Sequence, residues 1–205
     1  MKHIKLVVFD CDGVLFDTAQ ANRMYYSDIL QSCGLPALTE EQFRFVHMHT
    51  VNESMAYLFP DEKLLKAALA FRKTMDYRKY LRYHTVEPRL VRLLEKLRGQ
   101  HKIAIATNRT DTMEKLLAEF DLTEYFDLVV TSSDVKHPKP HPEALLMILN
   151  HFGLTPGEAI YVGDSQVDEL AARAAEIPLV AYRNRELTAR YYIDSLAELE
   201  ELLDI

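Results

Sequence analysis

The sequence predicts an α/β fold in which a parallel sheet is flanked by helices. Three observations lead to this prediction: a short apolar run near the N-terminus ends in acidic residues, strand and helix patterns alternate after residue 86, and a purely helical block lies between them. Alternating strands and helices are typical of parallel sheets joined by right-handed crossovers. The helical block is then an insertion after the first strand. We therefore predict a core domain from residues 1–17 and 86–205, and a small all-helical domain from residues 18–85.

The first strand is predicted over residues 4–9, an apolar run rich in β-branched side chains. A run this short indicates a strand buried in a parallel sheet. It ends in two acids, Asp10 and Asp12, and then Gly13, which permits a tight turn. A polar turn would explain one acid, but two carboxylates repel each other and lie where α/β sheets hold ligands. Asp10 and Asp12 are therefore candidate functional residues.

Apolar spacing predicts the other elements. In the inserted block we expect four helices, over residues 18–32, from Thr39, over 52–58 and over 61–83. Thr39 begins the second helix because it forms a capping-box pattern with Gln42. Further strands are predicted over 102–107, 128–131, 159–162 and 179–182. The helices between and after them are predicted over 88–98, 111–120, 142–152, 166–175 and from Ser195.

Polar residues follow each of the next three strands. Thr107 and Asn108 end the second strand, Lys139 lies in a proline-rich loop after the third, and Asp164 and Asp168 follow the fourth. Each has an ordinary structural explanation as a helix cap, a turn residue or a surface charge. The carboxyl ends of parallel strands meet at one edge of a sheet, however, so a single functional site explains all of them together.

The charges of these residues favour a bound cation. Asp10, Asp12, Asp164 and Asp168 carry four negative charges and Lys139 carries one positive charge, which leaves −3. Such a cluster does not remain ionised at close range without a counterion. Oxygen ligands without histidine or cysteine favour Mg²⁺, which also retains waters and binds phosphate oxygens.

Composition narrows the classes of partner. The chain has 205 residues, 48% hydrophobic, and a net charge of −7, so we expect neither a nucleic-acid partner nor an anionic membrane partner. Its two cysteines form no disulfide framework, and no signal peptide or membrane-spanning run is recognisable. We therefore expect a cytoplasmic protein.

Four motifs in order resemble those of the haloacid dehalogenase-like (HAD) phosphatases. They are Asp-x-Asp-Gly-Val-x-x-Asp from Asp10, Thr107 at the end of the next strand, Lys-Pro-x-Pro from Lys139, and Gly-Asp-Ser-x-x-Asp from Gly163. The helical block resembles the small cap of the phosphoglycolate phosphatase and β-phosphoglucomutase branch. The resemblance spans nearly the whole chain and implies a Rossmann-like core.

The resemblance also implies catalytic roles. Asp10 would be the nucleophile that forms an aspartyl-phosphate, and Asp12 would act as general acid and then general base. Mg²⁺ would bind the Asp10 carboxylate, the backbone carbonyl of Asp12 and Asp164, with Asp168 in support. The second acid, Asp12, favours phosphoryl chemistry over dehalogenation.

The remaining roles concern the phosphate. Thr107, the Asn108 backbone and Lys139 would hold the phosphoryl oxygens, and Thr107 and Lys139 count as catalytic. The implied activity is hydrolysis of a small phosphorylated metabolite, such as phosphoglycolate, a sugar phosphate or a nucleotide. We expect a monomer or a small homo-oligomer.

Two alternatives stay open at this point. A phosphohexomutase of the β-phosphoglucomutase type would share the fold, although no arginine lies between residues 45 and 71, where such enzymes place one. A non-catalytic phosphate-binding protein is the other, and the intact acids argue against it. The roles of His47, His49 and Arg109 are also open. The histidine pair has no evident third ligand for zinc, and Arg109 could bind a substrate anion or face solvent.

Overall fold

The chain divides into two compact units in a computed structural model that describes residues 3–205. The first unit contains the residues through Phe16 together with Val86–Ile205, and the second is Asp17–Thr85. Two-residue strands, Phe16–Asp17 and Thr85–Val86, form a separate two-stranded sheet. None of the helices in the described part of the chain combines the length and apolar character needed to cross a bilayer.

The first unit is built on a six-stranded parallel sheet. Its strands are β1 (Leu6–Phe9), β2 (Lys102–Ala106), β3 (Leu128–Val130), β4 (Ala159–Gly163), β5 (Leu179–Tyr182) and β6 (Tyr191–Ile193). The order across the sheet is β3-β2-β1-β4-β5-β6, and every neighbouring pair is parallel. The chain reverses direction across the sheet beside β1, and ligands of doubly wound sheets bind at such a reversal.

The second unit contains five helices, where the sequence predicts four. They are α1 (Ala19–Ser32), α2 (Glu40–Met48), α3 (Val51–Leu58), α4 (Glu62–Arg72) and α5 (Arg78–Leu81). The capping box of Thr39 and Gln42 is present, so that prediction is confirmed. The predicted long helix over 61–83 is wrong, because Thr74 Oγ1 donates to the Phe71 carbonyl at 2.7 Å and Asp76 Oδ1 accepts from the Arg78 N–H at 3.1 Å. These local hydrogen bonds compete with the helical ladder.

The helices of the first unit are α6 (Leu90–Leu97), α7 (Met113–Glu119), α8 (Glu143–Phe152), α9 (Gln166–Ala174) and α10 (Leu196–Leu203). Single 3₁₀ turns occupy Thr123–Tyr125 and Pro156–Glu158. Leu6 and Val8 of β1 pack in one apolar cluster with residues of α8 and α9. The predicted α/β fold is confirmed, but β6 was missed, since a three-residue edge strand has little apolar alternation to detect.

Candidate active site

Asp10 follows the central strand directly and is buried. Its backbone N–H donates to the Val162 carbonyl at 2.9 Å, which continues the pairing of β1 with β4. Asp10 Oδ1 lies 2.8 Å from Lys139 Nζ, yet no partner satisfies this oxygen as a well-aligned hydrogen bond. Burial raises the pKa of Asp10 to about 7, because the loss of water outweighs the attraction of Lys139, and Asp168 and Asp12 add repulsion. The carboxylate is thus poised between its charged and neutral forms near neutral pH.

Lys139 is only 2% exposed and joins the two sides of the site. Its Nζ lies 2.7 Å from Asp168 Oδ1, 2.8 Å from Asp10 Oδ1 and 2.9 Å from the Tyr161 hydroxyl. Burial opposes the charged form, but the two carboxylates outweigh it and raise the pKa of Lys139 above its usual value. The ammonium group therefore stays charged at neutral pH.

Asn108 holds the loop that carries this lysine. Its Nδ2 donates to the Lys139 carbonyl at 2.9 Å, and its Oδ1 accepts from the Lys139 backbone N–H at 2.9 Å. Both hydrogen bonds join one side chain to one residue, so the backbone position of Lys139 is defined. The sequence motif implicates only the Asn108 backbone, and no local pattern predicts this contribution of its side chain.

Asp168, in the first turn of α9, is fully buried and has hydrogen bonds on both oxygens. Oδ1 accepts from Lys139 Nζ and, at 2.6 Å, from the Tyr161 hydroxyl. Oδ2 accepts from the Ser165 hydroxyl and from the backbone N–H groups of Ser165 at 3.1 Å and Asp164 at 3.3 Å. Burial opposes ionisation, but Lys139 and these hydrogen bonds lower the pKa of Asp168. Because its oxygens already have partners, Asp168 is suited to supporting its neighbours.

Asp164 approaches the turn after β1 closely at Gly13. A Cβ on Gly13 would lie 2.0 Å from Asp164 Oδ2, and the φ of +80° is one that glycine adopts readily. Burial, with repulsion from Asp168 and Asp10, holds the pKa of Asp164 well above its usual range. One carboxylate oxygen from each of Asp10, Asp164 and Asp168 lies within 4.8 Å of the others.

Arg109 forms a two-pronged ion pair with Asp12. Its Nε donates to Asp12 Oδ2 at 2.8 Å and its Nη2 to Asp12 Oδ1 at 2.9 Å, with both side chains largely buried. Nη1 donates to Thr112 Oγ1 at 3.1 Å, and the Arg109 N–H donates to Thr107 Oγ1 at 3.2 Å. The sequence did not decide whether Arg109 faces solvent or binds a substrate anion. Its position directly after Thr107 and Asn108 was the only indication of a role in the site.

This pair changes the charge of the site. Four carboxylates now stand against two cations, Lys139 and Arg109, which leaves two negative charges instead of three. A single hard divalent cation would offset that charge, and the all-oxygen donor set with an unsatisfied Asp10 Oδ1 fits Mg²⁺. The residues therefore suit the predicted cofactor.

His47 and His49, and the buried Cys11 between the two acids, have structural explanations. His47 Nδ1 lies 3.0 Å from Asn22 Nδ2, and its ring stacks on Phe43. His49 stacks on the Phe45 ring at 3.9 Å between centroids. Cys11 is fully buried, and burial together with Asp12 raises the pKa of its thiol, which keeps it a poor nucleophile.

Comparisons with known proteins identify the family of this chain. The family described as haloacid dehalogenase-like hydrolase matches residues 7–182. A phosphoglycolate phosphatase of Photorhabdus laumondii is 32% identical over 188 residues, covering 88% of this chain and 80% of the relative. Fructose-1-phosphate phosphatase YqaB of Escherichia coli is 31% identical over 180 residues, covering 86% and 95%.

A solved structure extends the similarity to the fold. It is a HAD-superfamily hydrolase, subfamily IA, from Geobacter sulfurreducens, with 40% identity, a TM-score of 0.81 and coverage of 98% of this chain and 97% of the other. The family match includes Asp10, Thr107, Lys139 and Asp168, which carry the four motifs. The resemblance drawn from the sequence is confirmed, and the chain belongs to the haloacid dehalogenase-like hydrolase family.

Proposed function

We propose that this chain is a Mg²⁺-dependent phosphatase that hydrolyses a small phosphorylated metabolite through an aspartyl-phosphate on Asp10. The observation that supports this most directly is the placement of Asp10 at the end of the central strand, 2.8 Å from Lys139, with Asp12 two residues further on. Phosphoric monoester hydrolase is the enzyme class that the family match and the phosphatase relatives indicate.

The proposed chemistry has two halves. In the first, an Asp10 oxygen bonds to phosphorus while the bond from phosphorus to the ester oxygen breaks, and Asp12 gives its proton to the leaving oxygen. In the second, Asp12 takes a proton from the water that attacks phosphorus, and the Asp10–phosphorus bond breaks. In the structure both Asp12 oxygens accept from Arg109, which is the form that takes the proton from water in the second half. For the first half one oxygen leaves this pair and carries the proton, while the other stays on Arg109.

The other residues position the phosphoryl group. Lys139, Thr107 and the Asn108 backbone would bind its oxygens, and the Asn108 side chain positions Lys139. Mg²⁺ would be held by the carboxylates of Asp10 and Asp164 and the backbone carbonyl of Asp12, with Asp168 in support. When bound, it would offset negative charge on the phosphoryl oxygens.

The substrate is proposed to be a small phosphate ester. Relatives more than 30% identical are named for phosphoglycolate and fructose 1-phosphate. These two compounds are both compact and anionic. The mutase alternative is not favoured, since both of these relatives are phosphatases. A non-catalytic binder is not favoured either, because Asp10, Asp12 and Lys139 are all retained.

Phosphate release from a substrate panel tests the proposal. The panel contains phosphoglycolate, fructose 1-phosphate, β-glucose 1-phosphate and a nucleoside monophosphate, each with Mg²⁺ and with a chelator. We expect turnover of at least one compound, loss of turnover with chelator, and recovery when Mg²⁺ is restored. Isomerisation of glucose 1-phosphate without phosphate release would indicate the mutase, and chelator-insensitive hydrolysis would refute the metal requirement.

Replacing Arg109 by Met is expected to lower kcat about 10- to 100-fold, because Asp12 loses the two hydrogen bonds from the guanidinium group that orient it. The loss should be larger for an alkyl phosphate than for p-nitrophenyl phosphate, whose leaving group needs little protonation. Steady-state kinetics with both substrates measure this difference, and Arg109→Lys should lie between, since lysine cannot form the two-pronged pair. Equal losses on both substrates would contradict the proposed role.

Stability of the metal-free protein should depend on pH through Asp10. Its pKa is about 7 in the folded chain and near 4 when unfolded, so the folded state keeps this proton to higher pH. The contribution of the Asp10 carboxyl group to the free energy of unfolding is complete below about pH 4 and is lost as pH rises towards 7. Denaturant unfolding in chelator should therefore show wild type losing on the order of 3 kcal/mol relative to Asp10→Asn across this range. Parallel pH profiles for the two proteins would contradict this.

A further inference from the structure

The loop that carries Lys139 presents a second group of metal-binding side chains on its outer side. Lys139 is buried, whereas the side chains of His137 and His141 are 64% and 51% exposed. These three residues are spaced two apart and separated by single prolines. Because proline fixes φ, this spacing holds the lysine inward and the histidines outward.

Glu143, the first residue of α8, completes the group. His137 Nδ1 lies 2.8 Å from Glu143 Oε2, and His141 Nδ1 lies 3.9 Å from the same oxygen. The imidazole ring centroids of the two histidines are 4.7 Å apart. Among the described residues, only two groups of histidine, cysteine and acidic side chains place three ligand atoms within 4.8 Å of one another, and this is the one with histidines.

The distances are close to those of a bound transition metal. Ligand atoms about 2.1 Å from a tetrahedral centre lie roughly 3.4 Å apart, between the two distances seen here. His141 Nδ1 now accepts from the Glu143 backbone N–H at 3.2 Å, so this exposed imidazole must turn from that group to bind the ion. Backbone N–H groups of Lys136 and His137, and the His137 ring, donate to Glu143 and lower its pKa, which keeps the carboxylate ionised.

We propose that His137, His141 and Glu143 form a second metal site, distinct from the Asp10 cluster, for a late first-row divalent cation such as Zn²⁺. Two imidazoles and one carboxylate suit zinc, nickel or copper better than magnesium. The ion takes the place of the hydrogen bond between His137 Nδ1 and Glu143 Oε2. Nδ1 gives up its proton to bind the ion and Nε2 takes one up, so the ring stays neutral. Binding joins the loop to the start of α8 and so stabilises the segment that holds Lys139.

Zinc binding with spectroscopy tests the site without relying on activity. Calorimetric titration with Zn²⁺, in excess Mg²⁺ to occupy the aspartate cluster, should show binding that His137→Ala/His141→Ala weakens by at least about 100-fold. His151→Ala, an exposed histidine at the other end of α8, is the matched control and should bind like wild type. X-ray absorption at the zinc edge should show imidazole scattering in wild type and in the control, and none in the double variant.

Several results would overturn the site. Equal zinc affinity in wild type and the double variant would do so, as would absence of micromolar binding in wild type. A zinc spectrum with oxygen ligands only would assign the ion to the aspartates. Unfolding curves in chelator show whether the double variant is folded, and both substituted side chains are exposed. The outcome is independent of the proposed phosphatase reaction, since the aspartate cluster contains no histidine.

Discussion

Asp10→Asn is expected to reduce phosphate release by at least about 10³-fold while the chain remains folded. The amide is nearly the same size as the carboxylate but is a very poor nucleophile, so no aspartyl-phosphate forms. Lys139 keeps its contacts with Asp168 and Tyr161 in the variant, and the burial of an uncharged group costs less than that of Asp10. Initial rates with saturating Mg²⁺ and the best substrate measure the loss. Acid-quenched mass spectrometry should detect a phosphorylated peptide in wild type only.

The matched control is Asp204→Asn. Asp204 is exposed at the end of α10 with a φ of +63°, a conformation that asparagine adopts readily. This variant should keep the wild-type rate. If Asp10→Asn retained more than about a tenth of wild-type turnover with intact folding, Asp10 would not be the nucleophile, and direct attack by water would replace the proposed mechanism.

Lys139→Met is expected to cost both stability and activity. In wild type, Asp10 and Asp168 each lie within 2.8 Å of the Lys139 ammonium group. The substitution leaves both carboxylates buried without this cation. Removing one partner of a buried ion pair typically costs 3–5 kcal/mol, and we expect about 3 kcal/mol at neutral pH because Asp10 can take up a proton. Turnover should fall by at least about 10²-fold, since a charged group that binds the phosphoryl oxygens is lost. Denaturant unfolding in chelator and steady-state kinetics measure the two effects.

Lys102→Met serves as the control for this substitution. Lys102 pairs with Asp127 at 2.8 Å, but its side chain is 53% exposed, so the loss should stay below about 1 kcal/mol. The double variant Lys139→Met/Asp168→Asn should recover part of the lost stability, because one of the two unpaired charges is gone. Similar unfolding free energies for Lys139→Met and Lys102→Met would contradict the buried network.

Local patterns in the sequence determined much of this protein. The apolar run before Asp10 and the alternation of strands and helices after residue 86 identified the parallel sheet. The acids, Thr107 and Lys139 could be placed together because parallel strands bring their carboxyl ends to one edge. Such features can be predicted because strand periodicity, capping and turn chemistry depend on residues only a few positions apart.

Only the tertiary structure decided how the side chains pair. Arg109 and Asp12 are 97 positions apart, and the ion pair between them changes the charge of the site. The side chain of Asn108 holds Lys139 across 31 positions. Tyr161 has the sequence context of an ordinary strand residue, yet its hydroxyl donates a hydrogen bond to Asp168. Each contact depends on where separate elements pack and on which side-chain rotamer fits there. A single sequence carries no local pattern that predicts these long-range side-chain contacts.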